Sequence, residues 1–262
     1  MGKIIAVSTN KGGSGKTSLV TNLAGVLGLK KKKVLIIDTD GQGNTSMAFG
    51  LNPSDMNPTI YDVLMGKIKP EEAILNVGYK VDLLPSNSDM DFFDIEVLTN
   101  VERVKNPFYL LKNALGNIAD SYDYIFIDTP PSLGLVAGNV LTYADTVIIP
   151  FPPELFAVRG LVRLVDTVND FKEGYNPGLT IKGVVGMMVD SRTSLHNEML
   201  VQAMAYCGSQ DIKMYDTFIP KSIKFASATA YSGKPAVWVD KKNPLVNSYT
   251  KLLNEIIKGD AK

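Results

Sequence analysis

The sequence predicts a single α/β domain with a doubly wound, mostly parallel sheet and helices on both of its faces. Apolar runs of strand length alternate with segments of helical periodicity along the 262 residues. A glycine-rich turn at 8–18, STNKGGSGKTS, follows the first apolar run and leads into a helical segment. A chain of this length can bury a well-covered core, so we expect residues 1–262 to form one domain.

The composition excludes several classes of protein. The chain has 27 basic and 27 acidic residues, so any binding to nucleic acid must depend on a local patch of charge. One cysteine, Cys207, cannot form a disulfide framework or a cysteine metal cluster. Neither a signal peptide nor an apolar run of membrane-spanning length is present. We therefore expect a soluble, cytoplasmic protein.

The glycine-rich turn has the residue types of a phosphate-binding loop. Gly12, Gly13 and Gly15 leave the backbone N–H groups uncovered, so that these can converge on phosphate oxygens. Lys16 would contact the β- and γ-phosphates, and the Thr17 hydroxyl would bind Mg²⁺. The helix that begins near Lys16 adds the positive end of its dipole.

The loop departs from the usual G-x-x-x-x-G-K-[ST] pattern, because Asn10 replaces the first glycine and Lys11 follows it. Lys11 lies at the mouth of the loop, and a solvated lysine there remains an alternative to a functional one. The sequence K-G-G-x-G-K-[ST] after an N-terminal strand resembles the deviant Walker A motif of the ParA/MinD ATPases, a branch of the P-loop NTPases. The resemblance implies that Lys11 crosses to the nucleotide of a partner subunit.

Two further strands end in carboxylates. The apolar run at 34–37 leads into DTDGQGN, at the edge where an open α/β sheet binds its ligand. This segment resembles the family's D-x-D-P-Q-G-N, which implies that Asp40 positions the attacking water. Gly41 replaces the usual proline and should leave the turn less rigid. The strand at 124–127 ends at Asp128, a Walker B arrangement in which Asp128 would hold Mg²⁺.

Residues 50–120 are expected to supply core packing and no chemistry. The remaining predicted elements are helices near 60–64, 107–119, 133–143, 155–171, 194–204 and 245–257, and strands at 81–85, 146–149, 181–189 and 214–219. Thr59 is expected to cap the first of these helices. His196, the single histidine, is expected to be a surface residue rather than a base.

The C-terminal third extends the resemblance. The segments around Pro220 and Lys234 resemble the family's I-P-R…G-K-P, with Lys221 in place of arginine. The resemblance implies DNA contacts from Arg192, in a D-x-R-T segment, and from Lys221; we add Lys224, one helical turn further on. The nucleotide contacts that it implies are Lys11, Gly12, Gly13, Ser14, Gly15, Lys16, Thr17, Ser18, Pro220 and Ser222.

Taken together, the motifs resemble a ParA/Soj-type partition ATPase of the short kind, without an N-terminal helix-turn-helix domain. The resemblance implies a homodimer closed around two ATP molecules with Mg²⁺, in which Lys11, Lys16 and Asp40 carry the catalytic roles. It further implies non-specific binding to duplex DNA, a nucleoid-associated location, and a ParB-type centromere-binding protein that stimulates hydrolysis. The cargo remains open.

Other classes fit less well. A MinD-like membrane-associated ATPase is the main alternative, but it needs a basic amphipathic tail, whereas NEIIKGDAK mixes both signs of charge. We therefore expect no membrane contact. A nitrogenase-type reductase needs cluster cysteines, and a tyrosine autokinase would have a tyrosine-rich tail. A non-catalytic interaction protein is disfavoured because the loop lysine, the hydroxyl and both carboxylates are all present.

Overall fold

The computed structural model describes residues 2–100, 104–116, 118–222, 225 and 231–258. Within these residues lies one eight-stranded sheet with the strand order β3-β4-β2-β5-β1-β6-β7-β8. Every pairing is parallel except that of β3 with β4. The strands are β1 (Lys3–Val7), β2 (Val34–Asp38), β3 (Leu75–Gly78), β4 (Val81–Leu84), β5 (Tyr124–Asp128), β6 (Thr146–Phe151), β7 (Thr180–Val189) and β8 (Ile219–Pro220).

Helices cover both faces of the sheet, as the sequence predicts. They are α1 (Lys16–Leu29), α2 (Asn44–Ala48), α3 (Ile60–Leu64), α4 (Pro70–Ala73), α5 (Phe93–Thr99), α6 (Leu110–Leu115), α7 (Leu135–Tyr143), α8 (Ala157–Gly174), α9 (Ser194–Ser209), α10 (Ala236–Val239) and α11 (Asn247–Lys258). Short 3-10 helices include Pro53–Asp55 and Ser88–Phe92. In the described part of the chain, no helix has the length and apolar character that a membrane span requires.

The alternation of side chains along the central strand divides the core in two. Ile4 and Ala6 of β1 pack with α3 and α5–α9 on one face. Ile5 and Val7 pack with α1, α10 and α11 on the other face. Both layers are fully buried, which is why the central strands consist of unbroken apolar runs.

The parallel register brings the functional strand ends together. Val7 of β1 and Asp38 of β2 are both paired with Asp128 of β5. The three carboxyl ends therefore lie side by side at one edge of the sheet, directly below the loop that joins β1 to α1. This is the edge at which open parallel sheets bind their ligands.

Two predicted elements differ from the structure, and one strand was not predicted. The strand predicted at 214–219 is reduced to Ile219–Pro220, with an isolated bridge from Met214 to Val184. The amides of Asp216 and Thr217 instead donate to the Glu255 carboxylate, at 3.1 and 3.4 Å, so they are not available to a sheet.

The helix predicted at 107–119 is interrupted, because Gly116 takes a positive φ of 48° and ends α6 at Leu115. The antiparallel edge strand β3 was not predicted. It is four residues long, and its Asn76 side chain donates to Asp82 of β4 at 2.7 Å. Such a short run carries little periodicity, so the sequence gives no clear strand pattern there.

Candidate nucleotide-binding site

The phosphate loop ends in a helix whose first amides point towards the ligand edge. Helix α1 begins at Lys16, and Gly15 precedes it with a φ of 86° and no side-chain cap. The first amides of a helix have no intrahelical acceptor, so they are donors for an anion. The positive φ favours glycine at position 15, and a Cβ there would also displace the end of the Met187 side chain, which lies 2.8 Å away at Cε.

The loop also leaves open space above its backbone. A Cβ added to Gly12 or to Gly13 would meet no atom within 4 Å among the described residues. The surface over these two glycines is therefore free for phosphate oxygens to approach the backbone. The observation fits a nucleotide phosphate chain.

Lys16 is placed inside this site. It is 7% exposed, and its Nζ donates to the Lys11 carbonyl at 3.4 Å. Burial lowers the pKa of Lys16, while Asp128 and Asp40 act in the opposite direction. Burial disfavours the charged form of this ammonium group, and an anionic partner such as a phosphate would stabilise that form.

The predicted magnesium ligands lie together. The Thr17 hydroxyl donates to Asp128 Oδ2 at 2.6 Å, and the Thr45 hydroxyl donates to the same oxygen at 3.0 Å. Asp128 Oδ1 is buried and has no hydrogen-bond partner among the described residues. Burial raises the pKa of Asp128 to about 6. A hard cation bound to this carboxylate would compensate for the unfavourable burial of its negative charge. The residues therefore fit Mg²⁺.

Mg²⁺ is usually held by one or two carboxylates, waters and substrate phosphates rather than by a protein cage. The described residues accordingly contain no group of three or more His, Cys, Asp or Glu side chains that could hold a metal. A site of Thr17 and Asp128 beside a phosphate loop is consistent with this kind of coordination.

Asp38 and Asp40 at the end of β2 have different environments. Asp38 is fully buried and accepts from the amides of Asp40 and Thr45, at 3.0 and 3.2 Å, and burial raises its pKa. Asp40 is half-buried and lines the cleft, with Oδ1 accepting from the Gln42 amide at 3.0 Å. Asp38 thus shapes the turn, while Asp40 lies at the surface of the cleft.

The phosphate loop opens into a cleft of about 1690 Å³. Ligand pockets typically have volumes of about 300–1000 Å³, so the cleft is large enough for a nucleotide. Gly12, Gly13, Ser14, Gly15, Lys16, Thr17 and Ser18 line one side of it. Pro220 and Ser222 also line it, together with the apolar side chains of Met188 and Phe225. The predicted nucleotide-binding residues of the loop and of the β8 segment therefore share one cleft.

Lys11 lies outside this arrangement. It lines a second, smaller cavity of about 370 Å³ together with Leu155 and Phe156. Its Nζ forms an ion pair with Glu154, and the two side chains are about half exposed (41% and 52%). The Lys11 ammonium keeps the pKa of Glu154 below its usual value, and His196 and Lys221 contribute to this. The two loop lysines thus have different surroundings.

The predicted DNA-contact residues lie beyond the ends of β7 and β8. Arg192 is 87% exposed and forms a two-pronged ion pair with Asp190, with both N–O distances at 2.8 Å. Lys221 is exposed, and its amide donates to the Val189 carbonyl at 3.0 Å. Lys221 follows β8 and Lys11 lies in the loop after β1, and these strands run parallel in one sheet, so both residues lie at the same edge. Lys224 falls outside the described residues.

His196 forms a structural hydrogen bond. Its Nδ1 accepts from the Asp190 amide at 3.0 Å, which ties the start of α9 to the end of β7. The expectation that it has no catalytic role is consistent with this bond.

Sequence reasoning missed three residues of the site. Thr45 contacts Asp128, and its position one residue after the DTDGQGN segment could have indicated this. Asp91 and Asp94 line the cleft, although they come from the region expected to supply only packing. The sequence gives only an indirect signal for Asp91, which is the glycine at position 41 in place of a proline. The structure explains this glycine, because a Cβ at Gly41 would lie 2.2 Å from Asp91 Oδ1.

Comparison with known proteins identifies the family. The model of a family described as an AAA domain matches residues 2–181. The sporulation initiation inhibitor protein Soj of Bacillus subtilis is 34% identical over 257 residues, which cover 98% of each chain. The chromosome partitioning protein ParA of Caulobacter vibrioides is 35% identical over 258 residues, which cover 97% of this chain and 94% of ParA. The chain belongs to the ParA/Soj family.

A solved structure of a similar protein supports ATP and Mg²⁺ as the ligands of this chain. The cobyrinic acid a,c-diamide synthase of Mycobacterium smegmatis, determined with an ATP analogue and magnesium, has a TM-score of 0.84 and 26% identity over 98% of this chain and 95% of its own. With the phosphate loop, the paired Thr17 and Asp128, and this relationship, the chain is an ATPase that uses ATP and Mg²⁺.

Proposed function

We propose that this ParA/Soj family member is a DNA partition ATPase that works as an ATP-dependent dimer. ATP binding closes two subunits face to face, the dimer binds duplex DNA without sequence preference, and hydrolysis releases it. A ParB-type centromere-binding protein stimulates the hydrolysis. The observation that carries the proposal is the position of Lys11, whose ammonium group lies with Glu154 beside a second cavity rather than with Lys16 in the nucleotide cleft.

Within one subunit, the residues divide the work of hydrolysis. The loop amides and Lys16 bind the phosphates, and Thr17 and Asp128 hold Mg²⁺, which supplies charge neutralisation at the phosphates when bound. Asp40 accepts a hydrogen bond from the attacking water and orients it. Phosphoryl transfer needs positioning and charge stabilisation more than covalent chemistry, so this set is sufficient for slow turnover.

The second subunit completes the site. Lys11 leaves Glu154 and reaches the nucleotide of the partner, where it stabilises the charge that develops during transfer. Next to it, Leu155 and Phe156 are 58% and 66% exposed, which gives the rim an apolar component suited to an interface. Phe156 also has a positive φ of 65°, an uncommon conformation for a bulky residue.

The DNA-binding surface consists of local cations, because the chain is neutral overall. Arg192 and Lys221 are exposed and lie at the same edge of the sheet as the Lys11 ion pair. Closing the dimer at this edge would place two copies of each cation on one assembly. DNA binding then depends on ATP. A protein that binds DNA without sequence preference is expected in the cytoplasm, associated with the nucleoid.

A membrane-associated function receives no support from the C-terminal helix. Leu252, Leu253 and Ile256 of α11 are buried in the core that contains α1. The apolar side of this helix is therefore already used in packing.

The proposal is tested by DNA binding of the double variant R192E/K221E. We expect the parent to bind arbitrary duplex DNA in the presence of ATP, and the double variant to lose this binding while it still binds ATP and dimerises. Each phosphate contact contributes a salt slope of roughly 0.9, and a dimer counts each residue twice, so R192A alone should lower the slope by about 1.8. Gel shifts, salt titration and ATPase assays on the same preparations measure this.

The matched control is K172E/K251E, which makes a similar charge change at two exposed lysines on α8 and α11. Its binding to DNA should weaken only by the effect of the changed net charge, and so by less than that of R192E/K221E. If R192E/K221E binds DNA with the parental salt slope, the patch lies elsewhere. The lysine run at 30–33 is then the next candidate, although Lys30 donates to Asn254 and Lys32 pairs with Asp123.

A further inference from the structure

We propose that Asp91 is a positioning residue for Asp40, and that Gly41 is required so that the Asp91 side chain can contact the loop that carries Asp40. The inference rests on the role proposed above for Asp40 in hydrolysis. It concerns a contact between two segments that are 50 residues apart in the sequence, one of which was expected to have no part in the site.

The contact is direct. An ideal Cβ on Gly41 would lie 2.2 Å from Asp91 Oδ1, 2.9 Å from its Cγ and 3.4 Å from its backbone nitrogen. A carbon atom cannot lie 2.2 Å from a carboxylate oxygen, so any other residue at position 41 would require the exposed Asp91 side chain to move away from the loop. Asp40, Gly41 and Asp91 all line the nucleotide cleft.

Asp91 is well placed to hold the loop, because its own backbone is fixed. It lies in the 3-10 helix Ser88–Phe92, next to Met90, which is 4% exposed, and close to Phe93, which is fully buried. Asn87 caps this helix by accepting from the Asp89 amide at 3.0 Å. The Asp91 side chain therefore extends from a rigid support.

The loop needs such a support on its outer side. Its internal bonds run from the Asp40 amide to Asp38, from the Gln42 amide to Asp40 Oδ1 and from the Gly43 amide to the Asp40 carbonyl. The two ends of the loop are attached to β5, because Thr39 donates to the Asp128 carbonyl and the Thr45 hydroxyl donates to the Asp128 carboxylate. The bonds of Asp40, Gln42 and Gly43 shape the turn between these ends. Gly43 rests on Pro53 and on the Ser86 carbonyl, where a Cβ would lie at 2.5 and 3.0 Å. Asp91 is the corresponding contact at Gly41.

A proline at position 41, as in the family's D-x-D-P-Q-G-N segment, would restrict the residue before it and make the turn rigid by itself. In this chain the turn lacks that restriction, and the Asp91 contact supplies it from outside. A proline carries a Cβ, so it is incompatible with Asp91 in its present position. The two positions are therefore expected to be coupled.

The test is a double-mutant cycle on Gly41 and Asp91, measured by ATP turnover and by ATP dissociation constants. We expect D91A and G41A each to lower kcat on the order of ten-fold, since small displacements of a positioned catalytic group have large kinetic effects. ATP affinity should change little, because the phosphate loop is untouched. The double variant G41A/D91A should be no slower than the slower single variant, since both changes remove the same contact.

Two further variants separate this explanation from a general loss of structure or charge. D91N keeps the shape of the side chain and should recover most of the turnover that D91A loses. D89A removes a carboxylate from the same 3-10 helix without touching Gly41 and should have the parental rate. Melting temperatures and circular dichroism confirm that each variant is folded.

The proposal is overturned if D91A has the parental kcat, if the losses in G41A and D91A multiply, or if D89A is as slow as D91A. A failure of the Asp40 assignment itself is distinguishable, because D40A would then hydrolyse ATP at the parental rate whatever the outcome at positions 41 and 91.

Discussion

The inner site around Lys16 and the rim around Lys11 differ in how firmly their polar groups are held. In the inner site, Lys16, Asp38 and Asp128 are buried, and short hydrogen bonds from Thr17 and Thr45 fix the Asp128 carboxylate. On the rim, Lys11 pairs with Glu154 and Arg192 with Asp190, and the Lys11 and Arg192 side chains are 41% and 87% exposed. The two regions are adjacent, since the same loop carries both lysines.

The difference indicates which groups can change partners. Breaking a buried, hydrogen-bonded carboxylate arrangement costs several kcal/mol, whereas an exposed ion pair contributes about 0–1 kcal/mol. The inner site is therefore preorganised for ATP and Mg²⁺ within a single subunit. The rim groups can exchange an internal partner for an external one at little cost, which is what an ATP-dependent association with a second subunit and with DNA requires.

The largest effect is expected when the inner site loses the carboxylate that faces the ligand. In D40A, hydrolysis should fall by about 10²-fold or more, because general-base and water-positioning groups contribute effects of this size. ATP should still bind, since Lys16, Thr17 and Asp128 are unchanged. Sedimentation with ATP and Mg²⁺ should show a dimer that persists for hours. Parental hydrolysis in D40A would remove Asp40 from the mechanism.

The next prediction compares the two regions directly through their lysines. K16A should weaken ATP binding by roughly 10- to 100-fold, the equivalent of losing a charged hydrogen bond of about 1.5–3 kcal/mol. K11A should leave ATP binding by the monomer nearly unchanged and impair dimerisation or turnover. Nucleotide titration and sedimentation on both variants measure the two effects separately. Equal losses of ATP affinity would mean that Lys11 acts within its own subunit, and the dimer proposal would lose its main support.

The inner site was predictable from the sequence because its chemistry is local. The loop residues are consecutive, and parallel register alone brings Asp38 and Asp128 to the same edge as the end of β1. The sheet class followed from the same apolar runs. Thr17 and Asp128, the predicted magnesium ligands, lie next to each other, with the Thr17 hydroxyl 2.6 Å from Asp128 Oδ2.

The parts that could not be predicted depend on contacts between distant segments. The amides at 216 and 217 are bonded to Glu255, and only Ile219–Pro220 of the predicted final strand lies in the sheet. Asp91 reaches the Asp40 loop only because the 3-10 helix before α5 folds against it. The ion pair of Lys11 with Glu154 joins residues 143 positions apart. None of these contacts has a periodic pattern or a motif of its own.

The smallest predicted effect tests whether the rim ion pair restrains Lys11. E154Q keeps the shape of the side chain but removes its charge, so Lys11 no longer has to leave a carboxylate in order to reach the partner's nucleotide. An exposed pair contributes up to about 1 kcal/mol, so ATP-dependent dimerisation should strengthen by up to about five-fold for each pair released. Sedimentation in a D40A background, where hydrolysis does not remove the dimer, measures this shift.

The control for this prediction is E173Q, which removes an exposed carboxylate from the last turn of α8. It should dimerise like the D40A parent. The gain in E154Q should also shrink at high salt, because screening already weakens the ion pair in the parent. Weaker dimerisation in E154Q would contradict the restraint. Glu154 would then act within the interface itself, as an acceptor for a group of the second subunit.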